Sequence, residues 1–151
     1  MSANRQEDQR VQEYKNLDVA WEMWFQMVIE RKFFSYINPD ITVKNFPASP
    51  EAFTDKKVID VKIPRSMSRY GALKFLDERN LRAAMLPELL RWRESNKKRL
   101  SNCMVVALGS EWEGLNPCIF GHGSYLDLCL SYRAFHSGNF GSHYTIGAVE
   151  K

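Results

Sequence analysis

A chain of 151 residues with 44% hydrophobic and 26% charged residues has the size and make-up of a single globular domain, able to bury roughly 70% of the surface its unfolded form exposes. Its 21 basic against 18 acidic residues leave a formal charge of +3, too small for long-range attraction to a polyanion unless the charges cluster. Three cysteines without a C-x-x-C pair exclude a disulfide framework, and every apolar window carries charges well inside 18 residues, which excludes a spanning helix.

The opening MSANRQEDQR has no apolar stretch behind a basic start, so no secretory signal and no membrane association are expected, and the thiols belong in a cytoplasmic, reducing setting. Residues 1–15 read as a polar tail and 16–151 as one domain. From Asn16 to about Ile37, Leu17, Ala20, Trp21, Trp24, Val28 and Ile29 recur at steps of three and four, opposite Asp18, Glu22, Gln26 and Glu30, which predicts an amphipathic helix whose start can extend into the polar segment before it and which Asn38-Pro39 stops. Met23, Phe25, Met27, Phe33 and Phe34 widen its apolar surface, so the helix either lies under other elements on two sides or offers a patch to a partner.

Asp40 to Phe53 is a proline-broken connector with an edge strand expected at Ile41 to Val43, and Lys57 to Ile63 alternates as a strand with one buried face, ended by Pro64. Ser66 or Ser68 caps a short helix through Ala72, Leu73, Phe75 and Leu76, with Asn80 as a left-handed stop. Leu81 to Met85 is too short for a helix between these signals and reads as a strand or extended bridge. Pro87 and Glu88 open a second short helix that turns Leu89, Leu90 and Trp92 inward and ends in Arg93, Lys97, Lys98 and Arg99. The uninterrupted CMVVAL run, Cys103 to Leu108, predicts a central strand.

All of the eight glycines except Gly71 lie at or beyond Gly109. In that half Leu126, Leu128 and Leu130 alternate along one strand, residues 137 to 141 make a loop, and Tyr144 to Val149 closes the sheet. Helices first and a turn-rich, mainly antiparallel sheet afterwards predict an α+β fold.

Ser68 to Leu90, Val106 to Trp112 and Ala148 to Lys151 carry phrases, S-x-x-x-A-L, L-R-x-A-x-L-P-E-L-L, V-A-L-G-S-x-W and A-V-x-K, that resemble small uncharacterised proteins from the genomes of candidate-phylum bacteria. More distantly, Leu81, Arg82, Pro87, Glu88, Leu89, Trp112 and the Ile146, Gly147, Val149 ending are similar to C-type-lectin-like domains of the formylglycine-generating-enzyme type. That resemblance implies a fold with glycine- and asparagine-rich loops before a final strand and says nothing about a ligand; no acidic calcium-ligand cluster is present here.

Chemistry is sparse. His122, His136 and His143 with Cys118 and Cys129 match no zinc spacing, so no metal or other cofactor is expected. Ser124 in G-H-G-S-Y lacks the nucleophile-elbow pattern, and the glycines form neither a P-loop nor G-x-G-x-x-G. A Cys/His enzyme site in the C-terminal half would need an imidazole beside Cys103, Cys118 or Cys129. Arg91, Arg93, Lys97, Lys98 and Arg99 are the one dense basic cluster, read either as a solvated helix end or as a nucleic-acid contact over 91–99. Trp112, Tyr132, Arg133, Phe135, His136, Asn139, Phe140, His143 and Tyr144 combine aromatic area with directional polar groups on glycine-hinged loops. They predict a non-catalytic binding module for a protein, peptide or glycan, against the plainer reading that these rings cover a small sheet. No pattern specifies an oligomeric state.

Overall fold

A computed structural model of the protein describes residues 2–63, 67–96, 103–131 and 144–151. Three helices, α1 (Ser2–Glu30), α2 (Arg69–Asp77) and α3 (Leu86–Ser95), accompany seven strands, β1 (Tyr36–Ile37), β2 (Val58–Lys62), β3 (Leu81–Ala83), β4 (Cys103–Val106), β5 (Pro117–His122), β6 (Tyr125–Leu130) and β7 (Tyr144–Glu150). The fold is α+β, as its patterning predicts.

The strands form one mixed sheet in the order β1-β6-β5-β4-β7-β2, and β3 also pairs with β7. Four pairings are antiparallel and two, β1 with β6 and β4 with β7, are parallel. Apolar side chains fill both faces. On one, Val105, Ala107, Ile119, Leu128 and Val149 meet Trp21, Phe25 and Val28 of α1 and Leu86, Leu89, Leu90 and Trp92 of α3. On the other, Val106, Leu108, Cys118, Ile146 and Ala148 meet Ala72 and Leu76 of α2. CMVVAL reads as an unbroken apolar run because β4, flanked by β5 and β7, is covered on both sides. The strand over Lys57 to Ile63 likewise uses two faces rather than the expected one, with Val58 in the first core and Ile59, Val61 and Ile63 at the second.

α1 reaches back into the polar segment, as its reading allows, and ends earlier than expected. Its backbone is helical back to Ser2, through the segment that reads as a polar tail, and it stops at Glu30, seven residues before Ile37. Lys32 takes a left-handed φ of 52°, and the chain then turns Phe34 into the core. Continued helix would have committed the Ser35 and Asn38 N–H groups to carbonyls four residues earlier. Instead the Ser35 N–H donates to Leu126 O at 2.7 Å and the Asn38 N–H to Leu128 O at 2.9 Å, so the sheet edge claims them. The edge strand is therefore Tyr36–Ile37 and not Ile41 to Val43, where the Ile41 N–H bonds Asn38 O, the Phe46 N–H bonds Thr42 O and the chain forms turns. β7, which reads as a closing strand, lies inside the sheet.

The middle of the chain follows its local signals. Ser68 Oγ accepts from the Gly71 N–H at 3.1 Å as the cap of α2, and Asn80 stops the following turn at φ 58°. At the start of α3, Glu88 is fully buried. Its carboxylate takes two parallel bonds from Arg82, at 2.8 and 2.9 Å, and a third from the Met85 N–H at 3.1 Å, while Arg82 also donates to Glu51 O. One ion pair thus joins β3, α3 and the Pro50–Ala52 turn. Nearby, a Cβ at Gly109 would stand 2.7 Å from both Ala83 O and Ala84 O, so only glycine permits this approach of backbone to backbone.

Two expectations follow, read by urea denaturation. Glu88→Ala removes the buried carboxylate from Arg82, which keeps its bond to Glu51 O and part of its hydration, and lowers stability by about 2–3 kcal/mol. Gly109→Ala displaces backbone and destabilises by about 1–3 kcal/mol, whereas Gly71→Ala, whose new methyl meets only ordinary contacts, changes stability by less than about 1 kcal/mol.

Candidate functional site: the groove beside α1

Trp21 fixes α1 on the sheet. Its indole N–H donates to Phe46 O at 2.8 Å in the interior, and its ring lies 5.4 Å from Phe25, 5.6 Å from Trp24 and 6.1 Å from Phe53, centre to centre. With Trp21, Phe25 and Val28 turned inward at helical spacing, the opposite face of the same helix must look outward. That face carries Val19, Met23 and Met27 at steps of four, 55, 65 and 41% exposed, so much of the wide apolar surface foreseen in the sequence is uncovered among the described residues. Ala20 and Ile29, expected on the inward side, are exposed too.

Between the inward and outward faces, α1 borders a groove of about 510 Å³. Phe25 and Ile29 line it from the helix, Ile37 from β1, and Asn38, Pro39, Ile41, Thr42 and Val43 from the segment after β1, with Glu22 and Gln26 at the helix side and Lys44 at the other. The Gln26 amide donates to Glu30 at 3.4 Å. The segment wall is built by its own bonds: Asp40 N–H to Asn38 Oδ1, Asn45 N–H to Thr42 Oγ1 and the Asn45 amide to Asp40 O. The groove is open to solvent, and apolar side chains alternate in it with Glu22, Gln26, Asn38, Thr42 and Lys44, a mixture that offers both apolar contact and polar selection.

The rim foreseen as a binding surface is largely outside the described residues: Tyr132, Arg133, Phe135, His136, Asn139, Phe140 and His143 all fall there, and of Tyr144 only the backbone is described. Trp112 is half-buried, packed against the first core, at the head of a tight turn in which it exchanges two 2.9 Å backbone bonds with Leu115 across Glu113 and Gly114, both with positive φ. Its ring serves the core as well as the surface. Asn116, which composition gave no reason to single out, is fully buried just behind this turn, where its amide donates to Ser110 O at 2.7 Å and its N–H to Ser131 Oγ at 2.9 Å.

Of the basic cluster, Lys97, Lys98 and Arg99 lie outside the described residues. Arg91 spends its guanidinium on Thr54 O and Lys56 O at 2.8 and 3.0 Å, and Arg93 lies over the Phe33 ring at 5.5 Å with burial lowering its pKa. Both hold structure together. Ser124 sits at the exposed tip of the β5–β6 hairpin beside Gly123, whose φ is 60°.

Cys118 and Cys129 stand directly opposite each other in the register of β5 and β6. Burial pushes the Cys118 thiol up to about 12, and burial together with Asp127 raises that of Cys129. A thiol held in its neutral form is a poor nucleophile, which weighs against a Cys/His mechanism at either position. Among the described residues no group of three potential ligands is placed to hold a metal ion, and no helix is long and apolar enough to cross a membrane. No protein-family model, curated protein or solved structure matches this chain.

The raised thiol pKa has a signed consequence. Unfolding lets Cys118 ionise near its ordinary value of about 8.5, so its share of stability is complete below that pH and is lost as pH climbs toward about 12. The stability difference between wild type and Cys118→Ala, followed by denaturation at stepped alkaline pH, should narrow across that interval.

Proposed function

We propose that the protein is a non-catalytic binding module for a protein or peptide partner, and that its principal contact surface is the groove beside α1 with the adjoining Val19, Met23 and Met27 stripe. The observation that carries this reading is an apolar helix face that no described residue covers, on a helix whose other face is anchored by Trp21 and which borders a groove lined by Phe25, Ile29, Ile37 and Val43. Unbranched methionines suit such a surface, because a flexible, polarisable side chain fits partners of differing shape. The high pKa of Cys118 supports the non-catalytic half of the proposal.

The sheet rim from Trp112 to Tyr144 belongs to the same proposal as a second contact surface for a protein, peptide or glycan, supported by the aromatic and polar composition of its loops. Kinship with C-type-lectin-like domains, resting on the sequence phrases quoted above, would give such loops a precedent. A cytoplasmic location is proposed from the two opposed free thiols, which a reducing compartment preserves. Nucleic-acid binding through residues 91–99 is the weaker alternative, since the structural bonds of Arg91 leave its donors little freedom to contact phosphate.

A display selection of random peptides against the full chain tests the principal surface. Enriched peptides should bind Met23→Glu and Ile29→Asp variants at least about tenfold more weakly than wild type, with circular dichroism unchanged. Enrichment indifferent to both substitutions removes the groove from the proposal.

A further inference from the structure

The polar groups around the groove select among partners. Resting on the reading of the groove as a binding site, we propose that its occupant is a basic amphipathic α-helix of a partner protein, lying along α1 with apolar anchors in the groove and a lysine or arginine row over Glu22 and Glu30.

Three features carry this inference. First, between Asn16 and Glu30 α1 holds Asp18, Glu22 and Glu30 and no lysine or arginine, on a chain whose formal charge is +3. Glu22, Gln26 and Glu30 follow at steps of four and so form one row, which separates the groove from the methionine stripe. The acidic strip thus borders both apolar surfaces. Lys44, the one cation among the groove's lining residues, stands on the far wall and favours a partner whose positive side faces α1.

Second, the far wall offers little backbone to an added strand. Along the lining run from Asn38 to Lys44, Pro39 has no N–H and those of Asn38, Asp40 and Ile41 are already bonded, so an added strand would find donors only from Thr42 to Lys44. A helix, which satisfies its own backbone, needs none of these donors. Third, the acidic row disfavours the other occupants. A second copy docked through the same face would bring carboxylates against carboxylates, and nucleic acid or an anionic membrane would meet the same repulsion.

The test uses three synthetic helical peptides that share one leucine face and carry lysine, glutamate or glutamine elsewhere, titrated against the full-length protein by fluorescence anisotropy. The lysine peptide should bind about tenfold or more tightly than the glutamate peptide, and that margin should shrink as salt rises from about 50 to 300 mM. Glu22→Gln with Glu30→Gln should erase most of the margin, while Met23→Asp or Ile29→Asp weakens every peptide that binds. Equal binding of all three peptides, still sensitive to Met23→Asp or Ile29→Asp, overturns the charge selection and leaves the groove as a binding site. Lysine-peptide binding insensitive to both of those substitutions overturns the inference as diffuse charge attraction, and no binding by any peptide overturns the helix inference and the groove reading together.

Discussion

The bond from the Trp21 indole to Phe46 O settles where α1 lies, and the candidate site depends on it. A helix carrying apolar residues on two faces could roll either of them onto the sheet; a directional donor in the middle of one face, meeting a buried carbonyl 25 residues away, removes that freedom. With Trp21 held, Met23 two residues later must point away from the core. The groove follows from the same choice, because the inward rotation of Phe25 brings the Glu22, Gln26 and Ile29 side against the segment after β1.

The ion pair of Glu88 and Arg82 plays a corresponding part on the far side of α1's core. Full burial of a carboxylate is costly in isolation, and here two guanidinium bonds and a backbone N–H offset that cost. The geometry also aligns β3 for its pairing with β7, which in turn sets the close approach of Gly109 to the Ala83 and Ala84 carbonyls. Sheet and α3 are thereby held in one register.

Much of this was legible in the sequence where local chemistry decides structure. Ser68 as a cap, Asn80 as a left-handed stop, Pro87 in a first helical turn and the leucine alternation of Leu126 to Leu130 all act within a few residues, and each is found as read. The end of α1 was not, because it is set by Leu126 and Leu128, about ninety residues away, capturing the backbone of Ser35 and Asn38. The groove escaped for a similar reason. Ile37, Pro39 and Ile41 look like helix end and connector until β1 docks on β6 and turns them toward Phe25. The glycine-rich rim, by contrast, announces binding through residue type and not through placement, and Trp112, one of its expected contact residues, spends part of its ring on the core.

β7 follows every other described strand in the chain, yet it sits inside the sheet, paired with β2, β3 and β4. During synthesis those three strands therefore wait with their apolar edges open until residues 144–150 leave the ribosome, and no earlier portion of the chain completes the sheet. The edges of β2, β3 and β4 that β7 will cover are thus open to wrong pairing from the making of each strand until β7 follows, which is the interval in which premature edge-to-edge pairing is the characteristic hazard.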